Sequence, residues 1–114
     1  MGSPSLRSLS YNSLGAVGAE ALAPALAANG SLTSLNLGHN QLCGLDGSGR
    51  GTYTADGITA IADALRVNGS LTSLNLGHNQ LCGLDKYGDG TYSAEGITAI
   101  ADALRVNGSL TKIA

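Results

Sequence analysis

The sequence predicts an α/β fold: a right-handed βα solenoid, a short horseshoe segment with parallel strands on its concave face and helices on its convex face. Three observations lead there. Ser31–Gly69 aligns without gaps to Ser70–Gly108, a period of 39 residues in which 34 positions are identical. Each copy opens on alternating leucines, the period of a strand with one buried face. Each then carries apolar residues at i, i+3, i+4 and i+7, the stripe of an amphipathic helix. A strand and a helix on one period force a right-handed crossover back to the next parallel strand. The 114 residues therefore read as one domain, with units at about 3–30, 31–69 and 70–108 and a partial strand at 109–114.

The strand of the second unit lies in Leu32-x-x-Leu35-x-Leu37-x-x-Asn40-x-Leu42, and Leu71, Leu74, Leu76, Asn79 and Leu81 repeat it. Leu35 and Leu37 alternate inward. Asn40 falls where the chain turns, and its amide can satisfy backbone groups that the turn frees. Asn12, Asn40 and Asn79 are expected to stack as a ladder, with Asn40 and Asn79 buried. The helix follows as Ile58, Ile61, Ala62 and Leu65. Thr54 or Ser93 is the expected N-cap, with Asp56 or Glu95 in the first turn. Asn68-Gly69 and Asn107-Gly108 are expected C-terminal stops. These motifs resemble the leucine-rich repeat, specifically the ribonuclease-inhibitor type, whose units are about 28 residues long and whose arrays bend into a horseshoe. The resemblance covers essentially the whole chain and implies protein binding on the concave face.

The first unit departs from the pattern. Leu14, Gly18, Leu22 and Leu26 match Leu42, Gly57, Ile61 and Leu65. Pro24, however, falls inside the helix, where it removes a hydrogen bond and should kink it. The first strand, Ser5–Leu9, reads as contracted by two residues. Counted without a gap from Asn12, Arg7 takes an inward leucine position.

Units two and three carry 11 residues that the first lacks, since Leu14 to Gly18 is 4 residues and Leu42 to Gly57 is 15. One reading is a packed loop, anchored by Leu45 and Tyr53 and turned by its glycines. The alternative is a calcium site. Asp85, Asp89, Thr91, Ser93 and Glu95, with Gly90 between, look like an EF-hand loop. The departures are Tyr87 at the third position, Gly96 at the twelfth with the glutamate one place early, and Arg50 in the other copy where calcium would sit. Stacked loops would set Arg50 over Asp89, pairing opposite charges across the repeat.

His39, Cys43, His78 and Cys82 lie one repeat apart, so two His and two Cys could gather as zinc ligands. The simpler reading is a buried thiol and an exposed turn histidine. No cofactor is expected, and no nucleophile–base–orienter set suggests an enzyme. A net charge of −2 argues against nucleic acid, and no apolar run is long enough to span a membrane. Two cysteines make no disulfide framework, and Met1-Gly2-Ser3-Pro4 opens without a basic-then-apolar leader, so a reducing cytoplasm is expected. The concave face should present Ser34, Asn36 and Gly38, then Ser73, Asn75 and Gly77, small and uncharged. Copies this alike point to a designed or idealised array. The expected role is a non-catalytic scaffold that binds protein or self-associates, most simply as a homo-oligomer through its terminal faces, which Pro4, Arg7 and Lys112 blunt only in part.

Overall fold

Among the described residues, four short parallel strands, each one repeat apart, form one sheet in the order β1-β2-β3-β4, and three helices form the second layer. In this computed structural model the described residues are 6–45, 48, 50–84, 90 and 93–114, with the side chains of Leu6 and Arg7 excepted. The elements are β1 (Leu6–Ser8), α1 (Gly15–Ala28), β2 (Ser34–Asn36), α2 (Asp56–Val67), β3 (Ser73–Asn75), α3 (Glu95–Val106) and β4 (Lys112–Ile113).

The strands pair in the register that the repeat sets. Ser34, Leu35 and Asn36 lie opposite Ser73, Leu74 and Asn75. The ladder continues past the strands, through Leu37 N–H to Asn75 O at 2.8 Å and His39 N–H to Gly77 O at 3.0 Å. Leu6, Arg7 and Ser8 pair with Ser34, Leu35 and Asn36. The first strand is therefore not contracted. Its 28-residue offset holds from Leu6 to Asn12, and Arg7 takes the strand position of a core leucine.

The core lies between the layers. Leu35, Leu37, Leu42, Leu71 and Leu74 reach it from the sheet side, and Ile58, Ile61 and Leu65 from α2. α1 runs through Pro24 from Gly15 to Ala28. The proline lies on the exposed side, so the Glu20 carbonyl it leaves without an N–H faces water. α2 and α3 start one residue later than the sequence suggests, with Ala55 and Ala94 as N-caps. The hydroxyls of Thr54 and Ser93 still accept the first helical N–H groups, from Asp56 at 3.1 Å and Glu95 at 3.3 Å.

Candidate functional site

Two rows of asparagines fix the sheet whose concave side is the candidate site. Asn40 and Asn79 are 0% and 1% exposed. Asn79 Oδ1 accepts the N–H groups of Asn40 (2.9 Å) and Leu42 (3.2 Å) from the preceding unit. Its Nδ2 donates to Leu37 O and Leu76 O, both at 2.9 Å. Asn40 does the same one unit earlier, accepting from Asn12 N–H at 2.9 Å and donating to Leu9 O at 2.8 Å. Asn12, at the end of the row, is exposed and donates to Leu9 O at 2.8 Å. Around this row the turn is strained. Tyr11, His39 and His78 lie at φ of 60°, 54° and 57°, and Ser13, Gln41 and Gln80 are also left-handed. The buried amides hold these turns by bonding the groups they leave free.

The second row was not read from the sequence. Asn29, Asn68 and Asn107 end the three helices in extended conformation, with φ near −77° at Asn68, so they do not stop the helix by a left-handed turn. Asn68 Oδ1 accepts the N–H groups of Ser70 (3.0 Å) and Leu71 (2.8 Å), while its Nδ2 donates back to Leu26 O at 2.8 Å. Asn107 repeats the pattern with Leu65 O at 2.7 Å and Leu110 N–H at 2.8 Å. The signal available was the same-period recurrence of Asn29, Asn68 and Asn107, which had been taken up by the helix-stop reading.

Between the rows lies a shallow groove of about 280 Å³, lined by Ser34, Asn36, Ser73, Asn75, Lys112 and Ala114 with the backbone of β2 and β3. Asn36 Oδ1 accepts Gly38 N–H at 2.9 Å and Asn75 Oδ1 accepts Gly77 N–H at 2.8 Å. At the C-terminal rim of the strands, Tyr11, His39 and His78 stack as one column, with ring centroids 4.2 Å apart at each step and planes within 11° and 13°. Tyr11 is 73% exposed. This aromatic row was missed because Tyr11 breaks the His identity of the position. The 28-residue offset from Tyr11 to His39 carries the information.

The histidines and cysteines do not converge. His39 and His78 are engaged ring to ring, while Cys43 is buried. Burial pushes the Cys43 thiol up to about 11, with a Tyr53 hydrogen bond working against it and the neighbouring Cys82 adding to it. The thiol therefore stays protonated at neutral pH and is a poor nucleophile and metal ligand. Among the described residues, no group of three or more His, Cys, Asp and Glu is placed to hold a metal.

The inserted loop closes on itself at its neck. Leu45 is buried and bridges antiparallel to Gly51, as Leu84 does to Gly90. Gly51 has φ of 116°, and a side chain there would run into the Gly44 carbonyl. Tyr53 ties the loop to the next unit, donating to Leu81 O at 2.8 Å while its oxygen accepts Gly96 N–H at 3.3 Å. Burial raises its phenol, which Ser93 moderates by a hydrogen bond. Of the calcium candidates, Ser93 and Glu95 stand at the N-terminus of α3, where the Ser93 hydroxyl accepts Glu95 N–H. Asp85, Asp89 and Thr91 lie outside the described residues, and with Asp89 so does the expected pairing to Arg50.

A leucine-rich-repeat family model matches residues 2–23, 28–47 and 67–81, half of the chain. No curated protein matches the sequence significantly. Among solved structures, the chain is similar to the actin-binding site 2 of leiomodin-1, with a TM-score of 0.65 and 22% identity over 96% of this chain. It spans 51% of that chain, and the likeness is one of fold.

Proposed function

Since the chain belongs to the leucine-rich-repeat family, we propose that it is a non-catalytic protein-binding scaffold whose concave sheet is the binding surface. The observation that carries this reading is the groove over β2, β3 and β4, whose floor is held by two asparagine rows with Asn40, Asn79 and Asn68 buried. A rigid, pre-formed surface loses little conformational freedom when a partner docks. The similar fold of an actin-binding site supports the same class of role, and two free thiols suit a reducing compartment. No helix among the described residues is long and apolar enough to cross a membrane. The near-identity of the two 39-residue copies supports reading the array as idealised or designed. The test is selection from an unbiased displayed peptide library. Binders should be lost to Asn75→Trp on the concave sheet and kept by Thr59→Trp on the exposed side of α2. Binders indifferent to Asn75→Trp would overturn the reading.

A second reading, self-association through the end faces, is favoured by what those faces expose in this 114-residue chain. Ile97 is 43% exposed where its counterpart Ile58 is fully buried, and Ile113 is 40% exposed where Leu74 is 1%. At the other end an apolar slot of about 220 Å³ is lined by Leu9, Leu22, Leu26, Leu32 and Leu35. Apolar ends of this kind favour a homo-oligomer, either a two-fold dimer or a head-to-tail ring. Light scattering should give a mass above 11.3 kDa, and a monomer at high micromolar concentration would refute it. Calcium at Asp85, Asp89, Thr91, Ser93 and Glu95 is a separate proposal from the sequence pattern alone, and a calorimetric titration without heat would dispose of it.

A further inference from the structure

We propose that the concave face takes an acidic, extended segment of a partner protein, recognised by a field of hydrogen-bond donors and by Lys112. This rests on the reading of that face as the binding surface. Two side-chain amides set the character of this face. Asn36 and Asn75 each hold a backbone N–H, those of Gly38 and Gly77. A backbone N–H can only donate, so the atom facing it must be the amide oxygen, which fixes the orientation of both side chains. Each amide then has its whole NH2, a double donor, to offer a partner, against one remaining lone pair on its oxygen. Asn36 and Asn75 are directly paired across β2 and β3, so these donors recur about 4.8 Å apart across the sheet.

The next row of the groove has the same character. Ser34 pairs with Ser73, and Ser73 with Lys112. An ammonium offers three donors and no acceptor, and a serine hydroxyl can donate to a carboxylate. The rim adds the ring N–H groups of His39 and His78 and the hydroxyl of Tyr11, whose exposed ring offers contact area of the kind found at interface hot spots.

Charge is divided between the two faces. The acids among the described residues, Glu20, Asp56, Asp63, Glu95 and Asp102, all lie on the three helices. The four strands and the turns that follow them contain none, although the whole chain has a net charge of −2. A basic segment on the concave face would set its cations against Lys112 and the two amide NH2 groups. A carboxylate-bearing one meets each row with acceptors. An extended peptide presents same-face side chains about every 6.7 Å, the spacing of Ser34 and Asn36 along their own strand. A nucleic acid also offers acceptors, but its many phosphates need a run of cations, and this groove has Lys112 alone.

The test is fluorescence anisotropy at low salt with four labelled probes: alternating Glu-Ala, Lys-Ala and Ser-Ala dodecapeptides and an oligo-dT of the same length. The Glu-Ala peptide should bind about tenfold tighter than Ser-Ala, Lys-Ala should not bind, and added salt should weaken the complex. Lys112→Glu and Asn75→Asp should each weaken it about fivefold or more. In Asn75→Asp the new carboxylate still accepts Gly77 N–H, so the fold is kept and circular dichroism should show an unchanged melt. Arg66→Glu, on α2, is the control and should leave binding within about twofold. Binding of Lys-Ala or oligo-dT as tight as that of Glu-Ala overturns the proposal, as does an Arg66→Glu effect equal to that of Lys112→Glu. Library binders that Asn75→Trp abolishes but that carry no acids would leave the concave site standing and remove its acidic partner. Glu-Ala binding untouched by Asn75→Trp would remove both.

Discussion

Replacing Asn79 with alanine should be among the most damaging single changes that leave the hydrophobic core intact. The side chain is 1% exposed and bonds five backbone groups. Two of those groups have a second partner in the structure. Leu37 O also accepts from Asn40 Nδ2 at 3.1 Å, and Gly77 O accepts His39 N–H at 3.0 Å. The loss therefore falls on Asn40 N–H, Leu42 N–H and Leu76 O. Each buried group left unpaired costs about 1–3 kcal/mol, so the change should cost about 3–6 kcal/mol if water enters only in part. A chain of this length has an unfolding entropy of roughly 0.24 kcal/mol per kelvin, so the low end alone lowers Tm by about 12 °C. Against a total stability of about 5–15 kcal/mol, the high end removes about two fifths of it or more. Differential scanning calorimetry of Asn79→Ala beside Asn12→Ala is the decisive comparison. Asn12 is exposed, water replaces its amide, and its removal should cost under about 1 kcal/mol. Equal shifts for the two variants, or an unchanged Tm for Asn79→Ala, would refute the argument that the row supports the turns.

The second row should behave likewise: Asn68→Ala removes the partner of Ser70 N–H and Leu71 N–H, leaves Leu26 O only the long bond from Asn29 N–H at 3.4 Å, and should cost about 2–5 kcal/mol by denaturant titration. Gly57→Ala should cost more than about 1 kcal/mol, because its Cβ would meet Ala16 Cα, Ala16 O and Leu42 O, each at 2.8 Å, and backbone atoms on both sides cannot swing away. The pH dependence follows from Cys43. Its thiol holds its proton up to about 11 in the folded chain and only to about 9 in the unfolded one, so its stabilisation is complete below about pH 9 and is lost as the pH rises towards 11. The loss should reach about 2–3 kcal/mol, and Cys43→Ala should flatten the decline in urea midpoints across that range.

The fold was legible because the repeat states every core position at least twice. Leu35 and Leu74, or Leu37 and Leu76, need no individual reading once the period is known. Less legible was whatever depends on what a side chain does with its polar end. Asn68 and Asn107 stand before glycine at the end of a helix, a local pattern that suggests a left-handed stop. The structure instead keeps them extended and uses their amides across the repeat. Local sequence cannot show that choice, because the partners, Leu26 O and Leu65 O, lie 42 residues away. The Tyr11–His39–His78 column was hidden for a similar reason. A stack forms when rings of different chemistry share a repeat position, and identity-based comparison discards such a match.

The inserted loops show why the array accepts units of unequal length. The first unit is offset by 28 residues from the second, and the second by 39 from the third, yet the strands stay in register throughout. The extra residues leave between Leu42 and Gly57, and the Leu45–Gly51 bridge closes their neck within a few residues of departure. The loop's ends are thereby returned close together, and a closed loop adds little entropy cost per added residue. The insertion does more than avoid harm. Tyr53 crosses to the next unit and bonds Leu81 O and Gly96 N–H, the two groups that flank the next loop's departure and return. A unit without the loop, such as the first, has no tyrosine to make this crossing, and α1 meets α2 instead through small residues, with Ala16 against Gly57 and Ala19 and Ala23 buried. The repeat thus uses two different joints, small residues packed closely at the first step and a tyrosine strut at the second. The asparagine rows keep the concave sheet continuous across both joints.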